Sequence, residues 1–165
     1  MSQPRILMCR PDYFGIEYEI NPWMKRQSPA DRELAIVQWQ DLNQHLREAG
    51  AEIALLDPVP GLPDLVFTAN AAMIFRREAI LARFRHAQRQ GEEPLDERWL
   101  TADGFTVRKL PPEINFEGAG DALFCGDTLF AGYRIRSDAS GQQQVGLMVG
   151  CRVIPLELVD PYYYH

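Results

Sequence analysis

The feature that most limits the folds open to this chain is a hairpin-led unit that occurs twice. Val66–Phe75 runs into the turn Arg76-Arg77-Glu78 and then the apolar Ala79-Ile80-Leu81-Ala82. Asn115–Phe124 runs into Cys125-Gly126-Asp127 and then Thr128-Leu129-Phe130-Ala131. Phe75 falls on Phe124 and Arg85 on Arg134, both at an offset of 49 residues. A helical or loop stretch follows each hairpin, and a closing strand ends each copy, at Phe105–Leu110 and Cys151–Leu156. The unit therefore reads strand, hairpin, strand, helix, strand. Chance likeness between two hairpins rich in Phe, Ala and Gly is the competing explanation.

The N-terminal stretch carries only part of such a unit. Ile6–Cys9 and Ile53–Leu56 read as buried strands. Between them Ser28 is placed to N-cap a helix, Pro29 suits its first position, and Asp31 stands where a capping box wants an acid. Ala35, Trp39, Leu42, Leu46 and Ala49 form one apolar helical stripe, ended by Gly50. Pro58, Pro60 and Pro63 then force a surface loop. A leading hairpin strand is missing here, whereas Leu158–His165 looks like the start of a further unit. A ring of such units could lend its first member a strand from the far end, so the sequence is expected to be incomplete after His165.

Charge and cysteine content narrow the function classes. Lys plus Arg number 17 against 23 Asp plus Glu, a net charge of −6 without a like-charge block, which argues against nucleic-acid or anionic-membrane partners. No apolar run approaches the ~20 residues of a membrane helix, and the N-terminus lacks a secretory pattern. Cys9, Cys125 and Cys151 are an odd set without metal-ligand spacing. The expectation is a soluble cytoplasmic α/β protein with no bound metal.

Candidate chemistry gathers at the two hairpin entrances. Glu117 and Asp121 flank Gly118-Ala119-Gly120. In a strand, residues four apart share a face, so both carboxylates would project together. Two acids on one face are tolerable when a cation lies between them, and a planar guanidinium suits that place. A Gly-rich bulge with two solvated carboxylates is the plainer alternative. Asn70, in the matching part of the earlier copy, is either a ligand-facing amide or a hydrogen-bonded structural one. Asn21 precedes Pro22-Trp23 and is by habit a loop former. Arg83, Arg85 and Arg89, with His86 among them, could hold an anion or form a solvated basic stretch. His165 follows three tyrosines, a setting that readily moves an imidazole pKa.

These residues resemble a known superfamily. Ile20-Asn21-Pro22-Trp23-Met24, Leu62–Ala71, Arg83-Phe84-Arg85-His86 and Phe116–Leu123 are similar to motifs of the guanidino-group-modifying enzymes: dimethylargininases, arginine deiminases, arginine dihydrolases and glycine amidinotransferases. Asp160–His165 resembles the lead-in to their catalytic histidine. The resemblance implies an α/β-propeller of ββαβ units with pseudo-fivefold symmetry, here residues 1–165, cut short after about three units. It also implies cofactor-independent hydrolysis of arginine or a methylarginine through a cysteine thiouronium intermediate.

By the same resemblance Glu117 polarises the guanidinium and His165 acts as general acid and base, while Asn21, Phe67, Asn70, Arg89 and Asp121 bind substrate. Asn70 stands where many relatives have an acid, which points to the dihydrolase group, and Arg89 is the candidate for the substrate carboxylate. The family nucleophile has no counterpart among Cys9, Cys125 and Cys151, so this chain alone is expected to be inactive. An amidinotransferase and a non-catalytic arginine-binding module are the alternatives. Open propeller edges would favour self-association.

Overall fold

Arg5–Cys9 (β1) is followed by helix Arg32–Glu48 (α1) and strand Glu52–Leu56 (β2), which pairs parallel to β1 with Arg5 opposite Glu52 and Cys9 opposite Leu56. A parallel pair needs a crossover, and α1 supplies it. The computed structural model describes residues 3–164. These elements belong to the first of two units, which takes in the chain up to Ile20 and Met24–Thr68. Its small core sets Trp39, Leu46 and Ile6 against Met8, Ala51 and Ile53.

The start of α1 differs from the sequence expectation. Asp31, not Ser28, is the N-cap: its Oδ1 accepts from Leu34 N at 3.0 Å, while Ser28 N is spent in a turn on Lys25 O. An Asp with extended backbone caps as well as a Ser does, so the helix begins after it. At the other end Gly50 takes φ +90°, the expected left-handed stop. Of the apolar stripe, Trp39 and Leu46 pack on the sheet and Leu42 stays 53% exposed. Two strands cover only a narrow strip of a helix. The proline loop ends in a 3₁₀ turn, Pro63–Val66, with Pro63, Asp64 and Leu65 buried rather than at the surface. Thr68 Oγ1 donates to Leu7 O at 2.8 Å.

Asn21–Trp23 and Ala69–His165 make up the second unit, which holds two ββαβ repeats. In the first, Ala72–Phe75 (β3) pairs antiparallel with Glu78–Leu81 (β4), and Glu93–Ala102 (α2) leads to Thr106–Arg108 (β5), parallel to β4. In the second, Ala122–Cys125 (β6) pairs antiparallel with Thr128–Tyr133 (β7). Ala139–Val149 (α3) then leads to Arg152–Glu157 (β8), parallel to β7. The repeat expected from the sequence is present, at an offset of 50 rather than 49: Ala72 faces Leu81 as Ala122 faces Ala131, and Phe75 faces Glu78 as Cys125 faces Thr128.

The phenylalanines mislead by one residue because Phe75 and Phe124 meet across the two sheets, ring centroids 5.1 Å apart, instead of holding equivalent places. One core joins the copies, with Met73, Ile80, Phe116, Leu129, Ala131 and Val145 buried together. At about 25 cal/mol per Å² such side chains each contribute roughly 1.5–3 kcal/mol. No helix among the described residues is long and apolar enough to cross a membrane.

Candidate active site

The strand expected through Glu117 and Asp121 is a 3₁₀ turn, Gly118–Gly120, entering β6, and Thr68–Asn70 forms the matching turn before β3. Runs of small residues satisfy a tight turn as readily as a strand, and periodicity cannot separate them over so few positions. Gly118 takes φ +58°, and a Cβ there would stand 2.8 Å from the Asn70 carbonyl oxygen and 2.9 Å from backbone atoms of Ala72. These are backbone atoms that cannot yield. Gly118→Ala is therefore expected to destabilise the protein by about 2–4 kcal/mol, from left-handed strain and overpacking. A thermal midpoint unchanged by this substitution would contradict the placement of the turn.

The turn brings both carboxylates to one place. Glu117 closes one end and Asp121 the other, and the cation between them is Arg136 of the loop after β7. Arg136 Nη1 lies 3.0 Å from Glu117 Oε2, and Nη2 lies 2.5 Å from Asp121 Oδ1. Ser137 completes the frame: its Oγ accepts from Glu117 N at 3.0 Å and donates to Asp121 Oδ2 at 2.6 Å. Both oxygens of Asp121 are thus engaged within the chain. Glu117 differs. It is 1% exposed, and its Oε1 has no hydrogen-bond partner among the described residues. Burial pushes its carboxyl above the usual range, opposed by Arg136 and Arg89 and reinforced by Asp121 and Glu92.

Arg89 approaches from the first repeat, with Nη1 at 3.9 Å from Glu117 Oε2. Its guanidinium lies over the Phe84 ring at 4.3 Å. Glu92 grips it bidentately, at 2.9 Å on Nε and 2.7 Å on Nη2. The other basic residues of that stretch are tied elsewhere. Arg83 donates to Pro112 O at 2.6 Å, and Arg85 Nη2 reaches Asp138 Oδ1 at 2.5 Å. His86 stays closer to neutral than usual, because burial and then Arg85, Arg136 and Arg89 disfavour its charge.

Asn70 is buried beside the turn, and its Nδ2 donates to Glu117 O at 3.3 Å. Gly120 makes room for it, since a Cβ there would fall 2.1 Å from Asn70 Nδ2. Asn21 Oδ1 accepts from Trp23 N at 2.9 Å, closing the loop turn on itself. Trp23 then packs edge-on against Tyr162, 5.3 Å between centroids, and donates Nε1–H to Tyr162 O at 3.0 Å. Tyr164 lies over Arg136 at 5.1 Å, so the segment leading to His165 reaches the acidic pair. His165 itself lies outside the described residues. Phe67, in the first unit, is 47% exposed and edge-on to Phe14.

Arg136, Ser137 and Glu92 escaped the sequence reading. The cation expected between the two acids was the guanidinium of a ligand, and the chain's own Arg136 takes that place instead, reaching both carboxylates. Cys9 is buried, Cys125 is exposed at the β6–β7 turn, and burial raises the Cys151 thiol. Among the described residues no group of His, Cys, Asp and Glu could hold a metal ion.

A model of the eukaryotic N,N-dimethylarginine dimethylhydrolase family matches residues 10–165. The bifunctional arginine dihydrolase/ornithine cyclodeaminase ArgZ of Synechocystis is 43% identical over 98% of this chain, which spans 23% of that protein. The dimethylarginine dimethylaminohydrolase of Mycobacterium tuberculosis is 38% identical over 98% of this chain and 53% of its own length. The crystal structure of the ArgZ N-terminal domain with product superposes at a TM-score of 0.95, with 43% identity, over 99% of this chain and 61% of that one. Dimethylargininase from Pseudomonas aeruginosa, in complex with citrulline, gives 0.84 at 22% identity over 97% of this chain and 63% of that one, a likeness of fold alone. This chain, which spans about a quarter to a half of these curated relatives, belongs to the dimethylarginine dimethylhydrolase family of guanidino-group-modifying enzymes.

Proposed function

We propose that this chain supplies the guanidinium-binding part of a hydrolase that cleaves the C–N bonds of arginine or a methylated arginine. The Oε1 of buried Glu117, which has no hydrogen-bond partner among the described residues, carries this reading. An unsatisfied carboxylate oxygen in a desolvated place is costly unless a ligand completes it, and the N–H edge of a guanidinium is a matched partner. Arg136 and Ser137 hold Asp121 in place, so Asp121 acts on the substrate through the frame it builds around Glu117.

The chemistry then follows from general principles. A cysteine thiolate, expected beyond His165, adds to the guanidinium carbon that Glu117 polarises. His165 protonates the departing nitrogen, leaving a thiouronium, then deprotonates the water that attacks it, and collapse of that adduct breaks the C–S bond and returns the thiolate. Arginine and one water give citrulline and ammonia. A second hydrolysis gives ornithine, ammonia and carbon dioxide. The steps need an acid, a base and a thiol, and no cofactor. This chain alone would bind without turnover, and its units would form part of a five-membered α/β-propeller in the cytoplasm. Exposed Leu123, Leu147 and Val159 suit cover by further units or by another copy.

Asn70 decides between one hydrolysis and two. A neutral amide beside Glu117 adds no negative charge, so a neutral citrulline-like species can stay for the second attack. ArgZ and its relative AgrE, both named arginine dihydrolases, support this choice over a dimethylargininase. In the full-length protein Asn70→Asp should shift the product from ornithine to citrulline, read by amino-acid analysis after incubation with arginine. Unchanged ornithine output would contradict the role.

A further inference from the structure

We infer that Arg85, in the first repeat, is a positioning residue: it holds the 134–138 loop of the second repeat so that Arg136 and Ser137 stand against Glu117 and Asp121. The inference rests on the proposed role of Glu117 in polarising the guanidinium.

The loop that carries Arg136 and Ser137 is tight and strained. Arg134 N donates to Ser137 O at 2.9 Å, and Arg134 takes φ +98°, in the left-handed range that a side chain opposes. Such a backbone persists only where its surroundings over-determine it. Arg85 supplies two of the holds. Its Nε donates to Arg136 O at 3.2 Å and its Nη2 to Asp138 Oδ1 at 2.5 Å. The other carboxylate oxygen of Asp138 accepts from Asn115 N at 2.8 Å and from Asn115 Nδ2 at 3.1 Å, and Asp138 N donates to Asn115 O at 2.9 Å. One guanidinium thus grips the loop on either side of Ser137, whose hydroxyl meets both Glu117 and Asp121.

Burial separates the two layers. Glu117, Asp121, Arg136 and Ser137 are all buried, whereas the side chains of Arg85 and Asp138 are 35% and 30% exposed. An ion pair that open to water adds little stability. What a planar fork adds is direction, and a misplacement of ~1 Å at a reacting group can cost about 100-fold in rate. The charges that act on Glu117 are Arg136, Arg89, Asp121 and Glu92, and Arg85 is not among them. An effect of Arg85 on Glu117 therefore travels through the loop. With Arg136 displaced, Glu117 loses the strongest of the charges that favour its ionised form.

The test uses the full-length protein with arginine as substrate. Arg85→Met keeps an unbranched stem and removes the fork, and Arg85→Lys keeps the charge but offers a single nitrogen to two acceptors. In Arg85→Met kcat should fall about 10–100-fold, and the acid limb of kcat/KM should move to higher pH, because Glu117 without Arg136 holds its proton longer. The thermal midpoint should fall by no more than a few degrees. Arg85→Lys should lie between Arg85→Met and the wild type on both kinetic readouts. A kcat within about twofold of wild type, or a fall in kcat with the acid limb unmoved, as from general loosening of the fold, would overturn the inference. Glu117→Gln separates the layers. If it leaves kcat intact, the proposed role of Glu117 fails; if it abolishes turnover and Arg85→Met leaves the limb in place, only the positioning role fails.

Discussion

Replacing Glu117 with Gln in the full-length protein should lower kcat about 10²–10⁴-fold, the range typical for loss of a group acting in the transition state, while the thermal midpoint moves by no more than a few degrees. Gln fills the same space and can still meet Arg136 through its carbonyl oxygen, so the frame of Asp121, Arg136 and Ser137 persists. What disappears is the negative charge that would polarise the guanidinium carbon. The wild-type pH profile carries the same signature. Burial raises the Glu117 carboxyl, so the ionised form is lost as pH falls through a value above the ordinary ~4.3 of Glu. The acid limb of kcat/KM should lie correspondingly high and be absent from the residual activity of Glu117→Gln. A variant within tenfold of wild type would remove Glu117 from the mechanism.

The second large effect concerns stability. Burial, then the charge of Glu92, pushes the Asp96 carboxyl up to about 8; Arg89 opposes this and Glu93 adds to it. From the unfolded value near ~3.9 up to about 8, the folded protein keeps a proton that the unfolded chain gives up. Stability therefore falls as pH rises across that window and levels off above it, a total on the order of several kcal/mol. Glu93 and Glu117, also raised, slope the same way. Asp96→Asn removes the largest of these slopes. Its thermal midpoint should exceed that of the wild type near pH 8.5 by several degrees, and the two should converge toward pH 4–5. Parallel profiles would show that Asp96 is ionised in the folded protein.

Much of the architecture could be read from the residues because Gly, Pro and short apolar runs punctuate it. β1, β2 and both hairpins fall where those signals place them. The errors have local causes. Asp31 and Ser28 are both competent caps, and hydrogen bonding in the 25–28 turn decided between them. The offset missed by one because equivalent backbone positions carry Phe75 and Cys125, while like side chains meet across sheets.

At the site, the convergence of Glu117 and Asp121 was legible and its geometry was not. A strand and a 3₁₀ turn both bring them together, and only packing of Gly118 on the 70–72 backbone selects the turn. Arg136 was hidden for a different reason. It lies beyond β6 and β7, and the contact depends on how the chain returns. Glu92, three residues from Arg89, was within reach of sequence spacing, but acidic residues near a basic stretch are ordinarily solvated.

The most direct test is to supply the purified full-length protein with arginine and measure released ammonia together with the amino-acid product. The account predicts ornithine with about two ammonia per arginine consumed, from the two hydrolyses of the proposed dihydrolase, and loss of both in Glu117→Gln. Tight arginine binding with no ammonia from the wild type would contradict it and leave a protein that only holds the guanidinium.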